Sequence, residues 1–240
     1  MNEDVVAFLV RAAREFRGWV FTGFHWPVLA GEVAARLGVT PLRQLFEAGF
    51  ATEGPADTLP TSTTDFAAFG SAITWRGTTG DVLGSLVSRV GLVCLDAANV
   101  DLHGRVNSTA IGEYARPRVR LPGGGGAADA AAGAGSLLLL HGGADPARLA
   151  AHVEHVTAAP RGRVRLLTRW GTLELGPEPE LLTTATADAA FARRLEVLGV
   201  DTGAAEAEKP PSDEEWTVAT AVLAEAAERG YVVGREALRE

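Results

Sequence analysis

The chain has 240 residues, 47% of them hydrophobic, and a formal net charge of −8 at pH 7. That is enough apolar material for a full core, and the acidic balance argues against DNA or another polyanion as the main ligand. No run approaches the roughly 18 uninterrupted apolar residues of a spanning helix, and the single cysteine, Cys94, excludes an internal disulfide framework.

The N-terminal stretch MNEDVVAFLVRAAREF lacks the basic start and small-residue cleavage site of a signal peptide, so a cytoplasmic location is expected, with no membrane contact. Val5, Val6, Phe8, Leu9, Ala12, Ala13 and Phe16 recur at helical spacing and predict an amphipathic helix over 3–17. Trp19 to Phe21 reads as a short buried strand. Pro27 opens and Gly38 closes a second helix carrying Leu29, Val33, Ala34 and Leu37. Leu42 to Phe46 is a predicted strand ending at Glu47-Ala48-Gly49, and residues 50–62, rich in Pro, Thr and Gly, read as a loop. Phe66 to Ile73 and Asp81 to Ser88 are predicted helical. The strand from Gly91 to Leu95 follows, with Cys94 as a packing residue.

From Asp101 to Asp129 the chain turns polar and glycine-rich, DLHGRVNSTAIGEYARPRVRLPGGGGAAD. Arg105, Arg116, Arg118 and Arg120 cluster there, and Arg161, Arg163, Arg165 and Arg169 form a second group. Such patches can hold a phosphate or a carboxylate. Gly123 to Gly126, followed by Ala127, reads as a tight turn feeding a helix start, whose bare amides can meet a negative oxygen; a flexible linker has the same composition.

Downstream, Ala127 to Ala134 and Ala187 to Leu198 are predicted helices. Ser136 to Leu140, Val153 to Val156, Val164 to Arg169 and Thr172 to Leu175 are predicted strands. The alternation implies an α/β fold, an open, largely parallel sheet flanked by helices. Ligands in such sheets bind beyond the carboxyl ends of the strands, where Glu47 and the glycine run both fall. Residues 1–203 are read as one domain, and 204–240 as a linker and a C-terminal helix marked by Trp216, Val222 and Leu223. The five histidines, His25, His103, His141, His152 and His155, lack cysteine or acidic partners at metal-ligand spacing, so no metal is expected. His152 and His155, in a predicted strand, would not share a face.

Five blocks occur in order: Asp101 to Gly104, Asn107-Ser108-Thr109, Ile111-Gly112-Glu113-Tyr114, Pro117 to Arg120 and Gly123 to Ala127. Together they resemble the signature of the β-type subunits of family I coenzyme A transferases, of the glutaconate CoA-transferase kind. The likeness is collinear from about Val5 to Gly199. It implies the same open α/β fold, an α-type partner subunit required for activity, and transfer of CoA between carboxylic acids, dicarboxylic ones foremost. The substrate would be an acyl-CoA thioester, with no permanently bound cofactor. Leu45 to Gly49 stands where the family carries Glu-Ser-Gly or Glu-Asn-Gly, so the resemblance makes Glu47 the nucleophile that forms an acyl-glutamyl anhydride; on its own the residue also fits a solvated turn glutamate. Gly124, Gly125 and Gly126 match the family loop over the thioester and imply oxyanion donors. Asn107 and Ser108 match a supporting turn, and Glu113-Tyr114 stands in the place of Gly-Asp-Tyr.

Two departures stand out. The family loop Val-Gly-Thr-Gly-Leu-Pro reads Thr22-Gly23-Phe24-His25-Trp26-Pro27 here. His25 in place of glycine adds a group titrating near neutrality, either an acid/base or a residue packed under a helix start. The long Pro/Gly-rich loop of the family is also absent, Val156 to Pro160 running directly into Arg161. These changes keep open a repurposed enzyme, a decarboxylase or ring-opening hydrolase of CoA esters with His25 as acid/base. A non-catalytic partner subunit is a third reading.

Overall fold

The structure, a computed structural model, describes residues 3–232. Chain order runs α1 (Glu3–Arg14), β1 (Gly18–Thr22), α2 (Trp26–Arg36), β2 (Leu42–Phe46), β3 (Phe50–Thr52), α3 (Phe66–Phe69) and β4 (Ile73–Arg76). A helical segment that starts with α4 (Thr79–Asp81) leads to β5 (Leu92–Asp96) and three short strands, β6 (Val100–Asp101), β7 (Ala110–Ile111) and β8 (Val119–Arg120). Next come α5 (Ala127–Gly133), β9 (Ser136–His141), β10 (Leu149–Ala150), β11 (Arg163–Thr168) and β12 (Gly171–Leu175). β13 (Glu180–Thr184), α6 (Ala189–Leu198), β14 (Glu206–Ala207) and α7 (Asp213–Glu228) complete the chain.

Ten strands form one sheet in the order β14-β13-β12-β11-β9-β5-β1-β2-β3-β4. The five central strands, β11, β9, β5, β1 and β2, are all parallel, while β3–β4 and β12–β13 add antiparallel wings. The centre reads as unbroken apolar sequence because both its faces are covered. Leu138 and Leu140 face a core shared with Cys94, Phe8, Val33 and Val222, under α1, α2 and α7. Leu137 and Leu139 face the opposite core, with Val93, Ala130 and Leu195, under α5 and α6. No helix among the described residues is long and apolar enough to cross a membrane.

The main elements stand where their periodicity puts them, with four differences. Residues 50–62 are not all loop: Phe50 to Thr52 is β3, folded back on β2 by a three-residue turn. The predicted helix over 66–73 stops after one turn, because Gly70 takes φ +45 and the chain becomes β4 from Ile73. Val153 to Val156 is not a strand. Its Val153 amide donates to the Asp101 carboxylate at 3.2 Å and Val156 is exposed, so the stretch joins no ladder. The 204–213 segment contributes β14, which pairs with β13 at the sheet edge.

The C-terminal helix is tied down by charge. Ser212 and Glu215 form a reciprocal capping box at the start of α7. Glu215 accepts from Arg14 Nε at 2.8 Å and from Nη2 at 2.7 Å, and Arg14 also donates to the carbonyls of Lys209 and Pro210. The Arg14 hydrogen bond is the main cause that lowers the Glu215 carboxyl from 4.5 to about 2. A carboxyl whose pKa falls on folding stabilises the fold above its unfolded value, and that stabilisation is lost as pH drops through the folded one. Thermal melts between pH 4.5 and about 2 should therefore show a shallower acid limb for Glu215→Gln than for the parent protein, with a lower midpoint at pH 7.

Candidate active site

The carboxyl ends of β1, β2 and β5 lie side by side, at Thr22, Phe46 and Asp96. The chain goes from β1 to β2 on one side and later places β5 on the other, so the strand order reverses at β1. A crevice opens at such a switch point. Glu47 enters it from the β2–β3 turn, where Phe46 and Phe50 are paired and Gly49 N–H donates to the Phe46 carbonyl at 3.0 Å. Gly49 sits at φ +93, and a Cβ there would lie 2.6 Å from the Gly77 carbonyl oxygen. Only glycine closes this turn, and the closed turn fixes where Glu47 stands.

The glycine run comes down on that carboxylate. Gly123 N–H donates to the Ser108 carbonyl at 2.8 Å, Gly125 holds φ +51, and Gly126 N–H donates to Glu47 Oε2 at 2.9 Å. A Cβ on Gly126 would sit 2.6 Å from Glu47 Oε2 and 2.9 Å from Leu83. Glu47, Gly124 and Gly125 line a cavity of about 230 Å³, together with His25, Thr63, Asp96 and Ser108. The candidate residues singled out in the sequence thus meet at one place.

His25 has the backbone of a glycine, φ 72 and ψ −115, a region that costs an L residue about 1–3 kcal/mol. Three contacts hold it there. Its Nδ1 lies 3.4 Å from Asp96 Oδ2, without an aligned hydrogen bond. Its ring stacks on Tyr231 at 6.0 Å and 12°, and Trp26 meets it edge-on at 5.7 Å. Tyr231 is buried, which pushes its phenol pKa up, and its hydroxyl donates to the Pro60 carbonyl. His25 and Asp96 also wall a second cavity of about 290 Å³, lined by Trp26, His141 and Arg148. Trp26 itself is core, T-shaped against Phe8 at 4.8 Å.

The other histidines stand elsewhere. His141 is buried, which lowers its pKa, and Nδ1–H donates to the Ala97 carbonyl at 2.9 Å. His103 and His152 stack at 5.5 Å, and Arg105 bridges His152 to buried Asp101. His155 Nε2 binds the Gly112 carbonyl at 2.8 Å. Asn107 is buried and secures the turn into β7 by bonds to Thr109 and Ala110, in keeping with a supporting role. Cys94 is fully buried in β5, where desolvation raises its thiol pKa. Among the described residues no three His, Cys, Asp or Glu side chains are grouped to hold a metal ion.

Two residues of the site escaped sequence reasoning. Asp96 was legible as the acid ending the apolar run GLVCL; Tyr231 had no local signal, since it reaches His25 from the far end of the chain.

No protein-family model matches the chain, and no curated protein sequence does. Solved structures do. The decarboxylase AibA/AibB is 25% identical with a TM-score of 0.78, covering 98% of each chain. Glutaconate coenzyme A-transferase from Acidaminococcus fermentans is 19% identical with a TM-score of 0.73, covering 94% of each. IpdAB from Rhodococcus jostii RHA1 is 14% identical with a TM-score of 0.66, covering 98% of this chain and 96% of that one. The chain has the fold of the family I CoA transferases. Within that fold the resemblance read from the signature blocks holds, and the departure at His25 lies inside the cavity that holds Glu47.

The strained backbone makes its own test. His25→Gly removes the left-handed penalty and should raise the thermal midpoint, whereas His25→Ala keeps the penalty, loses the Tyr231 and Asp96 contacts, and should lower it. Equal midpoints for the two variants would rule out a strained His25.

Proposed function

We propose that this chain is the β-type subunit of a two-chain enzyme that moves coenzyme A between carboxylic acids, with Glu47 as nucleophile. The observation that carries this reading is the 2.9 Å hydrogen bond from Gly126 N–H to Glu47 Oε2. A carboxylate held by one amide in a closed turn is oriented for attack, and the same amide suits the chemistry that follows. Glu47 attacks the thioester carbonyl of acyl-CoA, the C–S bond breaks, and an acyl-glutamyl anhydride and CoA thiolate result. The thiolate then attacks the glutamyl carbonyl, whose oxygen takes negative charge where Gly126 N–H points, and the first acid leaves as its carboxylate. A second carboxylate attacks the glutamyl-CoA thioester and, by the reverse sequence, receives the CoA. No metal or resident cofactor enters these steps.

The neighbours AibA/AibB and IpdAB are two-component proteins by name, which supports an α-type partner here. In this reading residues 1–203 carry the chemistry and the described part of the C-terminal segment, 204–232, braces them, in a cytoplasmic complex.

A second reading keeps the CoA ester and changes the reaction. The His25–Asp96 pair faces the same cavity as Glu47, and an imidazole oriented by a carboxylate is a group that can take or give a proton. Decarboxylation or hydrolysis of the bound ester would use it. The 25% likeness to the decarboxylase AibA/AibB favours this alternative.

The test uses the chain assembled with its partner, dicarboxylyl-CoA esters and acetate, with CoA products read by mass. Acetyl-CoA should form, the Glu47 peptide should gain the mass of CoA less water, and Glu47→Gln should cut turnover by about 10³-fold or more without disturbing assembly. A product lighter by one CO2, formed equally by Glu47→Gln and lost in His25→Gly, would move the reaction to His25. A fully active Glu47→Gln complex producing acetyl-CoA would remove Glu47 from the chemistry.

A further inference from the structure

The arginines of the signature have no part in the chemistry above, and their placement points to a ligand. β7 and β8 form an antiparallel hairpin, Ala110 opposite Arg120 and Ile111 opposite Val119. Its base is rigid. Gly112 N–H donates to Glu154 at 2.6 Å, Ser108 N–H to Thr157 Oγ1 at 2.8 Å, and Leu121 N–H to the Thr109 carbonyl at 3.1 Å. Its surface is exposed and cationic, with Arg116, Arg118 and Arg120 all open to solvent.

Among the described residues, none of these three pairs with a carboxylate. Arg120 lies over the Tyr114 ring at 5.1 Å and donates to the Tyr114 carbonyl, while Arg116 and Arg118 make no side-chain hydrogen bond. Three guanidinium groups on one hairpin, none with a carboxylate partner among the described residues, run against the net charge of −8. Guanidinium forks match phosphate geometry.

The hairpin also leads straight to the reacting centre. From Arg120 the chain passes Leu121 and Pro122 into Gly123 to Gly126, so Arg120 stands six residues from the amide that binds Glu47. Six residues span at most about 20 Å, and the thirteen-bond pantetheine arm between thioester sulfur and first phosphorus spans about 15 Å at the same extended rise. A thioester seated at Glu47 thus has an arm long enough for its phosphates to reach this hairpin.

We propose that Arg116, Arg118 and Arg120 hold the phosphates at the nucleotide end of coenzyme A. This rests on the CoA-ester reading of the Glu47 site and adds to it the residues that separate acyl-CoA from an acyl group on a shorter carrier.

The experiment compares the wild-type complex with Arg116→Gln/Arg118→Gln, chosen because neither side chain braces the hairpin. Binding of free CoA and of pantetheine is measured by calorimetry, and turnover of acyl-CoA and acyl-pantetheine alongside. The double variant should bind CoA about tenfold more weakly and raise the acyl-CoA KM in step, leaving kcat and every pantetheine value unchanged. Wild-type CoA binding should weaken with added salt, and pantetheine binding should not. Unchanged CoA affinity in the double variant, or equal losses for CoA and pantetheine, would overturn the assignment. So would dissociation of the variant from its partner, which would make the hairpin a subunit contact. A wild-type complex that binds CoA but transfers no acyl group defeats the transferase reading alone, since the binding comparison still decides the arginines.

Discussion

The hydrogen bond between Gly126 N–H and the Glu47 carboxylate joins residues 79 positions apart, and much of the architecture exists to let it form. Parallel strands bring all their carboxyl ends to one edge of the sheet, which puts the β2–β3 turn beside the chain entering α5. The turn must be short enough to fix Glu47, and Gly49 is the residue that permits it. The glycine run must come close enough to donate, and a side chain at Gly126 would occupy the space of the carboxylate itself. Two backbone conditions, set in separate parts of the sequence, are satisfied together by the sheet.

Around that bond the fold holds a histidine in a conformation it would not choose. Backbone strain persists where surrounding structure over-determines it, and at His25 the restraint comes from a distance. Asp96 approaches from the neighbouring strand and Tyr231 from the end of α7. The C-terminal segment is anchored in turn by Arg14 to Glu215, by Arg36 to Glu225, by the Glu225 carboxylate accepting from Leu59 N–H, and by the Tyr231 hydroxyl on Pro60. The last helix thus braces both His25 and the 54–65 loop at the rim of the cavity. Removing it would expose the apolar faces of α1 and α2 and release the stacking partner of His25 together.

Electrostatics divides the surface in the same economical way. The buried Asp101 carboxylate gathers the His103, Arg105 and Val153 amides and the Arg105 side chain, and so its charge goes into tying the 101–105 turn to the backbone at Val153. Arg116, Arg118 and Arg120 have no carboxylate partner among the described residues and face solvent. A rigid base with an unneutralised cationic face is suited to an anionic ligand that arrives and leaves.

Much of the fold was legible in the sequence because period and punctuation are local properties. The helical spacing of Val5 to Phe16, the leucine run at 137–140 and the Pro27 and Gly38 boundaries each state an element without reference to any other. Glu47 and the glycine run could be named as candidates on the family likeness and on their place after predicted strands. What escaped was pairing. The β3 strand is three residues long, β14 is two, and both exist only because a neighbouring edge accepts their hydrogen bonds. The stretch 153–156 reads as a short strand between valines yet finds no such edge. The sequence by itself determined the element types, the two-sided burial of the central strands and the residues able to do chemistry. Only the tertiary structure decided that Asp96 and Tyr231 would stand against His25, and that the Gly126 amide would meet Glu47. Those contacts depend on the order of strands in the sheet, and strand order is set by how the helices pack on its two faces rather than by any local pattern.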